Sequence, residues 1–101
     1  MPIQRIALLT VHTSPLAPLG GKKTGGMNVY IRHLAAELGR IGIEVDIFTR
    51  RTTLAAPDVD YSLGDNVRVI RVNAGPPTVL DPNAVYDYVS QFAAGVIAFN
   101  T

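Results

Sequence analysis

The feature that most constrains this chain is a dense apolar run, followed by a helical apolar period and then by a second short apolar run. Between Ile3 and Val11 stand Ile6, Ala7, Leu8, Leu9 and Val11, a density that suits a strand buried on both faces of a parallel sheet. Met27, Ile31, Leu34, Leu38 and Ile41 then step by four and three, which aligns them on one face of a helix from about Gly25 to Ile41. Arg32, Glu37 and Arg40 are left for its watery side, and Gly42 suits a left-handed cap. Ile43 to Thr49 carries Ile43, Val45, Ile47 and Phe48 and reads as a second strand. Strand, helix and strand make a βαβ unit with a right-handed crossover.

Further along, Val59 to Leu63 and Val67 to Val72 read as strands joined through Gly64-Asp65-Asn66, a hairpin signal. The second of them is expected to lie parallel to the 43–49 strand. Gly75-Pro76-Pro77 marks a loop, and Asp81-Pro82 opens a last helix, with Asp81 as cap and Pro82 as first helical residue. Val85, Val89, Phe92, Val96 and Phe99 give it an apolar face. The fold expected is α/β: one Rossmann-like domain over residues 1–101, with a mainly parallel sheet, a β-hairpin and two helices. In a doubly wound fold such a helix delivers the chain to a further strand, so the sequence reads as the front part of a larger domain.

Composition narrows the function. The chain is 48% hydrophobic and 17% charged, which fits a globular core rather than a disordered tail. A net charge of +1 argues against a nucleic-acid-binding surface. There is no cysteine, and neither His12 nor His33 has a carboxylate pair at ligand spacing, so no metal site is expected. The longest early apolar stretch, Ile6 to Val11, is shorter than the ~7–15 residues of a signal-peptide core. No run approaches the ~20 apolar residues of a membrane span. The expectation is a soluble, cytoplasmic protein.

Chemistry points to the loop between the first strand and the first helix. Ligands of open α/β sheets bind beyond the carboxyl ends of the strands. His12, Thr13 and Ser14 leave the strand there, and Gly25, Gly26 and Asn28 start the helix. A helix start offers unpaired N–H groups and partial positive charge to an anion. Thr24 can cap the helix or face a ligand. Neither common phosphate fingerprint fits: Gly21-Lys22 is followed by Lys23 and has Leu16 where a Walker glycine belongs. The Gly25-Gly26 pair also comes over ten residues too late for a dinucleotide loop. From the residues alone, Gly25-Gly26 could equally be a helix-entry turn and His12 a loop histidine bonded to backbone. Lys22-Lys23 and Arg50-Arg51 read as solvent-facing, and His33 lies on the polar side of its helix.

The segments Arg5 to Leu16, Thr24-Gly-Gly-Met-Asn-Val-Tyr30, Gly42 to Arg50, Asn73-Ala-Gly-Pro76 and Phe92-Ala-Ala-Gly95 resemble family-four retaining glycosyltransferases of the GT-B fold. The likeness is greatest to the N-acetylglucosaminyltransferases of mycothiol synthesis and weaker to sucrose-phosphate synthases. It implies the N-terminal, acceptor-side part of an enzyme that moves a sugar from a nucleotide-sugar donor, UDP-linked, to a hydroxyl acceptor without metal or cofactor. It also implies a second domain that holds most of the donor, so these residues alone are expected to be inactive. By the resemblance, the Gly26 backbone meets the donor diphosphate, and Pro18 and Leu19 approach the nucleotide sugar. His12, Thr24, Gly25, Met27 and Asn28 line the acceptor side, where Lys23 is this chain's own further candidate; an imidazole and a carboxamide both bond hydroxyls. The sequence departs from the family at Lys23, where an acidic residue is common, and at Pro82, where the mycothiol enzymes carry a lysine used on the acceptor phosphate. Both departures weaken the case for an inositol phosphate held as the mycothiol enzymes hold it, while Lys23 is left as a candidate to meet an anionic acceptor from another direction. The competing reading is a phosphate- or sugar-binding module, or a self-associating one, with no catalysis. With no later strand to cover it, the apolar first strand is expected to be a sheet edge through which copies associate.

Overall fold

In the computed structural model, which describes residues 5–11 and 26–99, the βαβ unit forms as the pattern requires. Strand β1 (Arg5–Thr10) leads to helix α1 (Gly26–Arg40) and strand β2 (Glu44–Arg50). A short strand β3 (Val59–Asp60) precedes β4 (Val67–Val72). The order across the sheet is β1-β2-β4-β3. Pairs β1–β2 and β2–β4 are parallel, with Ile6 opposite Val45 and Ile47 opposite Val69, and β3 runs antiparallel to β4. The sheet is therefore mainly parallel, with β1 at one edge.

Two cores cover its two faces. On the α1 side Ala35 packs with Val45, Ile47, Val67 and Val69, and Leu8, Ile31, Leu38, Ile43 and Leu63 close around them. On the other side Phe48, Ile70, Val72 and Ala74 pack with Phe92 of helix α3 (Val89–Phe99). Alternation along β2 and β4 sends neighbouring residues to opposite cores, so both strands are almost wholly buried.

The helix end at Gly42 is set locally. Gly42 takes φ +96°, its N–H reaches the Gly39 carbonyl at 3.0 Å, and the Ile43 N–H reaches Leu38 at 3.0 Å. These are the paired bonds of a Schellman cap, with Leu38 and Ile43 meeting on the core side.

Four expectations need correction. First, β1 is not buried on both faces: its residues alternate between half-buried and exposed, and Leu9 is 59% exposed. The α3 side of β1 lies uncovered because α3 packs on β2 and β4. Second, Ile41 is exposed, because α1 ends at Arg40 and the cap turns the chain before Ile41 can join the stripe. Third, the 59–63 strand stops after two residues. The Asp60 carboxylate accepts the Ser62 N–H at 2.8 Å, a side-chain turn that competes with the ladder. Fourth, the last helix is broken into α2 (Pro82–Val85), a 3-10 turn (Tyr86–Tyr88) and α3. The tighter turn rotates the apolar stripe, which leaves Val89 exposed while Val85 and Phe92 stay buried. Asp81 stands at the N-cap but caps through its carbonyl, which accepts Ala84 N–H at 2.9 Å, with no side-chain cap bond.

Candidate functional site at the carboxyl edge of the sheet

Parallel pairing of β1 and β2 forces α1 to run back against them, so its first residue stands at the carboxyl edge. That edge collects the ends of β1 at Thr10, β2 at Arg50 and β4 at Val72, with the start of α1 at Gly26. Val11, just past the end of β1, packs on the α3-side core.

Of the residues picked out in the sequence, His12, Pro18, Leu19, Lys23, Thr24 and Gly25 lie outside the described residues. Gly26 opens α1, and Met27 and Asn28 follow in its first turn. The backbone of Gly26 is thus a helix N-terminus, the position that favours an anion. His33 is exposed on the same helix. Pro82 begins α2, beyond the 73–80 loop.

Arg50 and Arg51 are not solvent-facing. They are 3% and 5% exposed. The Arg50 side chain leaves β2 on the α3 side, as do Asp46 and Phe48, and its guanidinium gathers one loop. Nη1 donates to the carbonyls of Ala74 (3.2 Å) and Pro76 (2.8 Å), and Nη2 to that of Thr78 (2.6 Å). Its Nε has no hydrogen-bond partner. Burial lowers its pKa from the ordinary arginine value, opposed in part by Tyr88.

Arg51 gathers the neighbouring segments. Its Nε donates to Asn73 Oδ1 at 3.1 Å, and Nη1 donates to the carbonyls of Thr53 (3.2 Å) and Ala56 (2.7 Å). Its Nη2 pairs with the Asp58 carboxylate. Gly75 N–H is taken by Gln91 Oε1 of α3 at 2.8 Å. Two adjacent arginines therefore tie two loops of the carboxyl edge, 51–58 and 73–78, to the end of β2. The sequence carried one clue: a cation pair at a strand end, followed by a Gly-Pro-Pro loop rich in carbonyls and poor in N–H groups.

A second charged group lies lower on the α3 side. Arg68 and Asp46 form a two-bond fork, both contacts at 2.8 Å, with Asp46 buried. Arg5 approaches Asp46 at 3.8 Å and bonds Glu44 at 2.9 Å. The Phe99 ring stacks edge-on to Phe48 at 5.7 Å and receives the Arg68 guanidinium at 5.3 Å. This network ties the strands together away from the carboxyl edge.

Known proteins share both sequence and layout. Residues 25–98 match the family model described as Glycosyl transferase 4-like domain. D-inositol 3-phosphate glycosyltransferase of Kineococcus radiotolerans is 47% identical over 95 residues, 94% of this chain and 22% of that protein. The enzyme of the same name from Jonesia denitrificans is 48% identical over 96 residues, 95% of this chain and 22% of that protein. The solved structure of sucrose-phosphate synthase from Thermosynechococcus elongatus superposes with a TM-score of 0.86 at 37% identity, over 95% of this chain and 24% of that one. The chain thus spans less than a quarter of the length of these relatives. It belongs to the Glycosyl transferase 4-like domain family, on a GT-B type α/β scaffold.

Proposed function

We propose that this chain forms the acceptor-side wall of a retaining glycosyltransferase that moves a sugar from a UDP-linked donor to a hydroxyl acceptor in the cytoplasm. The observation that carries this reading is the carboxyl edge itself: three parallel strand ends and the start of α1 at Gly26, in a chain 47% identical to D-inositol 3-phosphate glycosyltransferase. In this reading the Gly26 N–H takes the donor diphosphate, with Pro18 and Leu19 beside the nucleotide sugar. His12, Lys23, Thr24, Gly25, Met27 and Asn28 face the acceptor hydroxyls. Rate enhancement comes from charge stabilisation on the departing diphosphate and from holding the acceptor hydroxyl against the donor's anomeric carbon, on the face that the diphosphate leaves. The donor's other contacts belong to a second domain, so residues 1–101 bind but do not turn over substrate. A titration of the labelled chain with 1D-myo-inositol 3-phosphate and with UDP, followed by amide NMR, tests it. Shifts centred on Gly26 and Asn28 support the reading, and shifts scattered elsewhere or absent remove it.

One observation favours a second reading, self-association of the chain as given. Among the described residues β1 stands at the sheet edge with Leu9 exposed, and an apolar sheet edge is a template for another strand. Two copies meeting through β1 would extend the sheet. Light scattering across a wide concentration range decides it: a rise in mass supports association, and a constant monomer mass removes it.

A further inference from the structure

Arg50 is buried together with its charge, and among the described residues no carboxylate bonds it. Its three acceptors are the carbonyls of alternate residues, 74, 76 and 78, so one side chain fixes a whole loop. A planar guanidinium can present several donors to such a row, which an ammonium cannot. The loop needs this, because Pro76 and Pro77 supply no N–H, and carbonyls turned inward must find donors. Tying down carbonyls alone does not call for a cation: a neutral amide would do so at a smaller desolvation cost. What the cation adds is a positive potential beneath the edge where an α/β sheet receives its ligand. The orphaned Nε shows that the fork is not fully used by the loop.

We propose that Arg50 is a positioning residue for the ligand site: it holds the 74–78 backbone as a fixed wall of the carboxyl edge, and its unneutralised charge favours a phosphate-bearing polyol there over the neutral polyol. The proposal rests on the acceptor-side reading given above. Arg51 sets the adjoining Asn73, and Gln91 holds Gly75 from α3, whereas Arg50 takes the loop's carbonyls from β2.

The test uses the labelled 101-residue chain with Arg50→Gln and Arg50→Lys, read by amide hydrogen exchange and by titration with 1D-myo-inositol 3-phosphate and with myo-inositol. Exchange at β2 and β4 is expected to stay slow in both variants, while Gly75 and Thr78 exchange at least about tenfold faster. The preference for the phosphorylated ligand is expected to fall by at least about tenfold in Arg50→Gln and by less in Arg50→Lys, which keeps the charge but not the fork. A merely structural arginine would speed exchange across the whole sheet and leave the ratio of the two affinities unchanged, and that result overturns the proposal. Unchanged loop exchange in both variants overturns it too. If Arg50→Gln does not fold, Arg50→Lys decides by the same two readouts. If the wild-type chain binds neither polyol, the acceptor-side reading falls and the charge half of the proposal falls with it; loop exchange then judges the positioning half by itself.

Discussion

Gly39 and Gly42 are three residues apart at the end of α1, yet they are glycine for different reasons. A Cβ on Gly39 would overlap the Asp65 carbonyl oxygen and press on Val67, and Asn66 Nδ2 bonds the Gly39 carbonyl at 2.9 Å. Helix propensity alone would make Gly39→Ala stabilising by about 1 kcal/mol. The clash is with backbone that cannot rotate away, and overpacking of this kind costs about 1–3 kcal/mol or more. We therefore expect a net loss of about 1–2 kcal/mol, read by urea denaturation. Around Gly42 a Cβ meets nothing within 4 Å, so only its positive φ resists substitution. Gly42→Ala should cost about 1 kcal/mol, and Gly42→Asn less, because asparagine tolerates that region. If Gly39→Ala proved the more stable of the two alanine variants, the close approach to Asp65 would not exist in solution. The pair Arg68–Asp46 is the other residue-scale test. Arg68→Met leaves a buried carboxylate with Arg5 alone at 3.8 Å, and breaking such a pair from one side costs about 3 kcal/mol when fully buried. Arg68 is partly exposed, so about 2 kcal/mol is expected, measured as a lowered urea midpoint with unchanged slope.

At the scale of elements, what was legible in the sequence is what local patterning controls. The 3.6-residue period of α1, the cap at Gly42 and the parallel partnership of β2 and β4 all follow from residues that are close in the chain or strongly apolar. The failures share a different cause. Arg50 looked solvent-facing because its burial depends on the 74–78 loop folding back more than twenty residues later, and Arg51 because its own depends on Asn73 and on the 53–58 segment curling round it. The break at Tyr86–Tyr88 and the short β3 came from local geometry that apolar spacing does not register. Of the candidate site, the helix start at Gly26 is where the sequence pattern put it, while His12 to Gly25 lie outside the described residues. β1 is the most instructive case, since its apolar density implied two covered faces and only one is covered. An edge strand with one open face should also open more readily than the strands inside. Amide exchange in β1 is therefore expected to be faster than in β2 and β4. Leu9→Lys, on an exposed position, should change stability by no more than about 0.5 kcal/mol, while lowering any concentration-dependent rise in mass. If that variant associates as strongly as the wild type, contact through β1 is excluded as the route.

For the whole molecule, the proposed acceptor-side reading raises the question whether a wall can act without the rest of a cleft. The chain folds around two cores of its own, one on each face of the sheet, and its carboxyl edge is tied together by Arg50 and Arg51. Binding needs little more than such an edge, because backbone N–H groups and a held loop offer an anion and a polyol fixed partners. Transfer needs more: the leaving diphosphate must be stabilised as its charge develops, and water must be kept from competing with the acceptor. On the proposed reading one wall by itself meets neither demand, and the chain spans 22% of the length of the D-inositol 3-phosphate glycosyltransferases it is similar to. The purified chain, supplied with UDP-N-acetylglucosamine and 1D-myo-inositol 3-phosphate, is expected to release no UDP above the rate of a boiled control. Adding the separately produced remainder of a homologous enzyme should restore turnover only if this edge docks correctly. Arg50→Gln should then lower kcat/KM for the phosphorylated acceptor more than for the neutral one. Turnover by the chain alone would show that the cleft is complete within these residues and would end the one-wall account.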